Sequence, residues 1–219
     1  MAQRTGADGL LAPPAKAASA RIILALAVAA MLALAAVARL GGAAAPPACD
    51  PDNGGLKLPE GFCALVIADD VGTARHLAIA PNGDVYVALQ EGRAKPLGVA
   101  ALRDTNGDGK MDQTERFGDK STTGVALHNG YLYVSTISSV ERYKMTPGQL
   151  KPAGEAEVVV ADLPVTRPHQ DKGIAFDGKG SLYVNVGAPS NACQPQDRRP
   201  KLAGQDPCPM LETSGGIWK

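Results

Sequence analysis

Three stretches of this sequence share one plan: Leu77-Ala-Ile-Ala-Pro-Asn-Gly-Asp-Val-Tyr-Val87, Val125-Ala-Leu-His-Asn-Gly-Tyr-Leu-Tyr-Val134 and Ile174-Ala-Phe-Asp-Gly-Lys-Gly-Ser-Leu-Tyr-Val184. In each, a short apolar run meets a turn containing Asn-Gly or Asp-Gly, and a second apolar run with a tyrosine near its centre follows. Those dipeptides supply the positive φ angles of tight turns, so each stretch predicts a β-hairpin. Tyr86, Tyr133 and Tyr183 recur 47 and 50 residues apart, the spacing of antiparallel blades repeated around an axis.

Working outward, third strands are predicted at residues 98–103, 139–145 and 216–219, and fourth strands at 114–118 and 156–161. Leu65-Val-Ile-Ala-Asp69 parallels Val158-Val-Val-Ala-Asp162. It predicts an early strand that would close a ring by completing the last blade, leaving few exposed edges. The fold class expected is all-β, a β-propeller. The sequence reaches two blades, most of a third and the closing strand, and it stops at Trp218-Lys219 inside a strand. The expectation is therefore the N-terminal part of a propeller, spanning residues 49–219. A twisted stack of antiparallel sheets with no ring is the alternative.

Composition agrees. Hydrophobic residues make up 45% of the 219, enough for a core, and 25 glycines with 17 prolines suit many short strands joined by turns. Formal net charge is +0, so nothing favours a nucleic acid as partner.

Residues 1–48 stand apart. Arg4, Lys16 and Arg21 precede an uncharged apolar run over residues 22–38, and an Ala- and Pro-rich stretch follows. That order is the layout of a secretory signal. The run is also near the lower length limit of a membrane span, so attachment to a membrane through residues 22–38 is the alternative to cleavage. The four cysteines fit export to the periplasm or cell exterior. Four cysteines allow three pairings; the two local ones, Cys49 with Cys63 and Cys193 with Cys208, close short loops in a compartment that permits disulfides.

Asp104-Thr-Asn-Gly-Asp-Gly-Lys-Met-Asp-Gln-Thr-Glu115 matches the twelve-residue calcium loop position for position. Asp104, Asn106 and Asp108 offer side-chain oxygens, Lys110 a backbone carbonyl, Asp112 a ligand often reached through water, and Glu115 a bidentate carboxylate. Strands rather than helices flank it, so the expectation is a calcium-stapled hairpin; a metal-free acidic turn is the bland alternative. Three histidines compete for acid–base work. His128 lies in a hairpin turn and reads as an exposed turn residue. His76 and His169 each fall eight residues after the Ala of an Ala-Asp pair, Ala68 or Ala161, in connections leading to a blade's innermost strand. Such loops cluster at one end of the scaffold, where function concentrates. His76 abuts its strand; His169 sits in a longer polar loop.

At that loop the sequence resembles a known family. Leu163-Pro164, then His169-Gln170, Gly173 and the hairpin that ends at Gly187 are similar to the soluble quinoprotein sugar dehydrogenases. The segments from Gly187-Ala-Pro-Ser-Asn-Ala-Cys193 to Asp206-Pro-Cys-Pro209 and Leu211-Glu-Thr-Ser-Gly-Gly-Ile-Trp218 resemble the sorbosone dehydrogenase branch. So do Cys49-Asp-Pro-Asp-Asn-Gly-Gly55 and Leu58-Pro-Glu-Gly-Phe-Cys63. The resemblance covers residues 49–219. It implies a propeller of six blades, within the usual range of about 4–8, that binds pyrroloquinoline quinone and calcium. It implies oxidation of an aldose or related sugar aldehyde in the periplasm, with electrons passed to an external acceptor. His169 would be the general base, taking a sugar hydroxyl proton while the quinone accepts hydride. Two departures stand out. The glucose-oxidising members carry a base-orienting Asp where Ala188 stands, so another acceptor or water must hold the imidazole here. They place a quinone-contacting Gln before the second hairpin, where this chain reads Asp119-Lys-Ser-Thr-Thr-Gly124. No cofactor-binding residue is therefore assigned; the quinone and catalytic calcium ligands would come from later blades. The rival readings are a non-enzymatic binding propeller and a calcium-dependent lactonase-like propeller.

Overall fold

The computed structural model describes residues 46–92 and 97–219. The predicted signal or membrane-anchor run at 22–38 lies outside the described residues, among which no helix is long and apolar enough to cross a membrane.

The described residues form eleven strands in three antiparallel sheets. In the first sheet β1 (Ala74–Ile79), β2 (Val85–Leu89), β3 (Gly98–Arg103) and β4 (Gln113–Phe117) pair in chain order. The second repeats this with β5 (Val125–His128), β6 (Tyr131–Ser135), β7 (Val140–Lys144) and β8 (Glu157–Val160). The third has β9 (Ile174–Phe176), β10 (Leu182–Val186) and β11 (Gly216–Trp218). These are the predicted blades, with boundaries shifted by at most three residues.

The turns follow their residues. Asn129 (φ 47°) and Gly130 (φ 78°) both occupy the left-handed region, so β5 and β6 join through two residues and pair in register, Val125 opposite Val134 and His128 opposite Tyr131. In the first hairpin only Gly83 is left-handed, at φ 91°. Its turn is longer and is closed by Ala80 N–H donating to the Asp84 carbonyl at 2.8 Å.

Packing explains why β2 and β3 are apolar without alternation. Tyr86, Ala88, Val99 and Ala101 face the second sheet's Val125, Leu132, Val134 and Tyr143. Val85, Val87, Leu89, Ala100 and Leu102 form a cluster on the opposite face, covered by Ile67, Ala68, Val71 and Met111. A strand buried on both faces has no reason to alternate. The second sheet packs in turn on the third, with Tyr133 and Val140 against Val184, Ile174 and Phe176. The inner strands β1, β5 and β9 are successive neighbours, as blades arranged about one axis require.

Residues 65–69 correct one expectation. They form no strand; Met111 N–H donates to the Ile67 carbonyl at 2.8 Å, but no ladder forms. A strand needs a partner edge, and this segment instead lays Ile67 and Ala68 on the first sheet's apolar face. His128 corrects another, since it is no free turn residue: its ring stacks on Phe176, centroids 4.1 Å apart, joining the second and third sheets. Both local disulfides are present, Cys49–Cys63 and Cys193–Cys208. Each closes a loop of 14 or 15 residues, worth about 3 kcal/mol in the chain-entropy account.

Candidate functional site at the loop before the third sheet

The connection from β8 to β9 carries His169 and is held at several points. At its start, Leu163 N–H donates to the Ser138 carbonyl at 2.9 Å. The buried Thr166 hydroxyl lies 2.8 Å from the Gly187 carbonyl and 3.1 Å from that of His169. The His169 ring places Nδ1 2.8 Å from the Ala188 carbonyl oxygen. A carbonyl only accepts, so Nδ1 carries a proton, and in the neutral ring Nε2 is the nitrogen with the lone pair. Ala188 thus holds the ring through its backbone carbonyl. This close approach needs Gly187. A Cβ there would lie 2.6 Å from the His169 Cβ and would overlap the His169 carbonyl.

Immediately beyond His169 lies a polar hub that links all three sheets. The Asp171 carboxylate accepts from Arg75 Nη2 of β1 at 3.1 Å and from Gln90 Nε2, just after β2, at 2.6 Å. Thr123 Oγ1, just before β5, approaches it at 3.4 Å. The Arg75–Asp171 pair has side chains 42% and 35% exposed, so its own stabilisation is about 0–1 kcal/mol. What it contributes is alignment, because donors 81 and 96 residues away in sequence fix the loop. Lys172 is fully buried, and burial lowers its pKa, with Asp171 opposing the shift. Gln170 Oε1 is buried with no hydrogen-bond partner among the described residues.

His76 lies inside β1 rather than in the connection before it, because the strand begins at Ala74 with irregular pairing between Ala74 and Leu77. Its Nδ1 lies 2.9 Å from the Thr123 carbonyl, so it too carries a proton on Nδ1, and its Nε2 makes no hydrogen bond among the described residues. The two histidines thus share an orienting device.

The predicted calcium loop joins β3 to β4. Asp104 caps it, accepting N–H bonds from Gly107 at 2.7 Å, Gly109 at 2.8 Å and Asn106 at 3.1 Å. The Gly109 bond leads in holding the Asp104 carboxyl below the usual carboxylate range. Asn106 Oδ1 accepts from Asp108 N–H at 2.9 Å, Asp108 Oδ1 from Lys110 N–H at 2.7 Å, and Asp112 Oδ2 from Thr105 Oγ1–H at 2.9 Å. The twelfth position differs: Glu115 is on β4 and pairs with Lys151 at 3.0 Å. No group of three or more Asp, Glu, His or Cys close enough to hold a metal occurs among the described residues. The structure therefore winds residues 104–112 into a loop and leaves Glu115 outside it.

Sequence reasoning missed Arg75, Gln90, Asp171, Lys172 and Thr166. Asp171 and Lys172 directly follow His169-Gln170 and Arg75 directly precedes His76. Adjacency to the two histidines does not single them out, because their partners are distant in sequence or are backbone atoms.

No family model and no curated sequence matches this chain. Solved structures do share its fold. The holo form of the PQQ domain of pyranose dehydrogenase from Coprinopsis cinerea superposes with a TM-score of 0.52 at 15% identity, covering 61% of this chain and 32% of that one. A Trichoderma reesei enzyme of carbohydrate-active family AA12 matches in two structures. Its calcium structure gives a TM-score of 0.50 at 17% identity over 61% of this chain and 33% of that one. Its iodide structure gives 0.53 at 16% over 69% and 36%. The chain spans about a third of the length of these structures, and the likeness shows the all-β, propeller-type fold.

Proposed function

We propose that this chain supplies the general base of an exported oxidoreductase that uses pyrroloquinoline quinone to oxidise an aldose or related sugar aldehyde. The observation that carries the reading is the His169 ring. Its Nδ1–H is fixed on the Ala188 carbonyl and its Nε2 makes no hydrogen bond among the described residues, at the same end of the sheets as a polar hub drawn from all three. Neutral imidazole so held is set to take a hydroxyl proton at Nε2. The fold shared with a PQQ domain adds support. The Cys193–Cys208 segment and the Cys49–Cys63 segment favour the sorbosone dehydrogenase branch, and the two disulfides favour export.

The residues present fit one side of the quinone, a planar group bearing several carboxylates. Arg75 spends one nitrogen on Asp171, and its other guanidinium N–H groups make no hydrogen bond among the described residues; they would meet a carboxylate. Gln170 Oε1, buried and unpartnered, would accept from a donor. When bound, the quinone would accept the two electrons of the oxidation as hydride. The chain's part is to orient the sugar carbon by holding its hydroxyl at His169 Nε2 and to store the proton there. A sugar substrate and an external electron acceptor are the partners this requires. Calcium at Asp104, Asn106, Asp108, Lys110, Asp112 and Glu115 would be structural and would require Glu115 to leave Lys151.

Quinone binding tests the cofactor reading directly. Titrating the full-length protein with pyrroloquinoline quinone and calcium should give a saturable change in quinone absorbance, weakened by Arg75→Met. A flat titration, or one that Arg75→Met leaves unchanged, removes the proposed carboxylate contact.

A further inference from the structure

We infer that Lys172 is a positioning residue for His169, its buried ammonium holding the His169 loop from inside. The inference rests on the reading of His169 as the base.

Lys172 is 0% exposed and is the largest fully buried side chain among the described residues. Lysine is almost never fully buried unless paired, yet no ion pair of the described residues includes it. Its Nζ donates instead to two backbone carbonyls, Pro164 at 2.8 Å and Gln170 at 3.2 Å. Pro164 opens the loop and Gln170 directly follows His169, so the ammonium bridges the two ends of the segment that carries the imidazole. At its own backbone, the Lys172 carbonyl accepts from Ser135 Oγ of β6. That hydroxyl accepts in turn from Gly124 N–H at 2.7 Å. The same residue thus anchors the loop to the second sheet, while its neighbour Asp171 anchors it to the first.

Methionine would fill this space without desolvating a charge. What it would not do is answer the Pro164 and Gln170 carbonyls, which lie in a loop with no ladder to satisfy them. The depressed Lys172 pKa, caused chiefly by burial, agrees with an ammonium surrounded by protein. Removing it frees the backbone on both sides of His169. The 2.8 Å bond from Nδ1–H to Ala188 depends on that backbone, and with it the tautomer that leaves Nε2 free.

Nitrogen NMR of the full-length protein with labelled histidine reads the tautomer without any need for turnover. The His169 signals are those lost in His169→Gln. Wild type should show widely separated Nδ1 and Nε2 shifts. In Lys172→Met the two should converge as the tautomers interchange, with the His76 and His128 signals in place. Lys172→Arg, which keeps a charge and several donors, should hold them apart. In sugar oxidation Lys172→Met should lower kcat about 10–100-fold, the effect of a misplaced catalytic group, at little change in KM. Converging shifts in a protein with no sugar oxidation would uphold the positioning role and sink the oxidoreductase reading. Unmoved His169 shifts in Lys172→Met would overturn the inference. So would a joint shift of all three histidines, because it would assign Lys172 to folding at large.

Discussion

Asp84 accepts from Arg103 Nε and Nη2, both at 2.7 Å, and from Asn82 Nδ2 at 2.9 Å. Its side chain is 4% exposed, so this pair, unlike Arg75–Asp171, sits where charge–charge geometry matters. The Arg103 bond leads in holding the Asp84 carboxyl below its ordinary 3.8, against desolvation. A carboxylate with a depressed folded pKa contributes stability that is complete above its unfolded value and is lost as pH falls through the folded one. Asp84→Asn should therefore cost about 2–3 kcal/mol near neutral pH. The deficit should shrink below about pH 4 as wild-type Asp84 protonates. Denaturant melts of both proteins across an acid pH series check this, and a deficit constant down to pH values where Asp84 is neutral would refute it. At this scale the sequence was partly legible. His169 was marked by its polar loop and its motif, whereas its acceptor was not, because Ala188 works through a carbonyl that any residue would have. Lys172 and Asp171 were invisible because their partners lie far away in sequence or belong to the backbone.

Hairpins and blades were the most legible elements, since Asn-Gly and Asp-Gly turns between short apolar runs are local signals that tertiary packing here reinforces. Residues 65–69 show the limit: their apolar character could not distinguish a ladder from the partly buried cover that Ile67 and Ala68 lay over the first sheet. The loop from β3 to β4 shows another. Its acidic spacing forced Asx-type turns with Gly107 (φ 81°) and Gly109 (φ 87°), yet the register of β4, with Glu115 opposite Ala101, sends the twelfth position to Lys151. If the loop takes calcium, the ion must outcompete Lys151 for that carboxylate. Calcium at about a hundredfold over its Kd would then stabilise the protein by about 2.7 kcal/mol. Calcium titration by calorimetry should find one site fewer in Asp108→Ala with Glu115→Ala than in wild type. Equal site numbers would show the loop to be an acidic turn.

Over the whole molecule, the three sheets share apolar interfaces and meet again at the polar end, where Asp171 gathers donors from the first and second sheets beside the His169 loop of the third. That convergence is what a repeat architecture offers: equivalent connections of successive blades brought to one place from distant parts of the chain. His76 and His169 are both products of it, each with Nδ1 on a backbone carbonyl. In the proposed reading only one is the base, and the longer, internally pinned loop favours His169. Single-turnover quinone reduction by the reconstituted full-length protein compares His169→Gln with His76→Gln. Loss of a positioned base should slow the first about 10²–10⁴-fold with quinone occupancy intact, and should leave the second near wild type. Near-normal reduction in a folded, quinone-loaded His169→Gln protein would contradict the account.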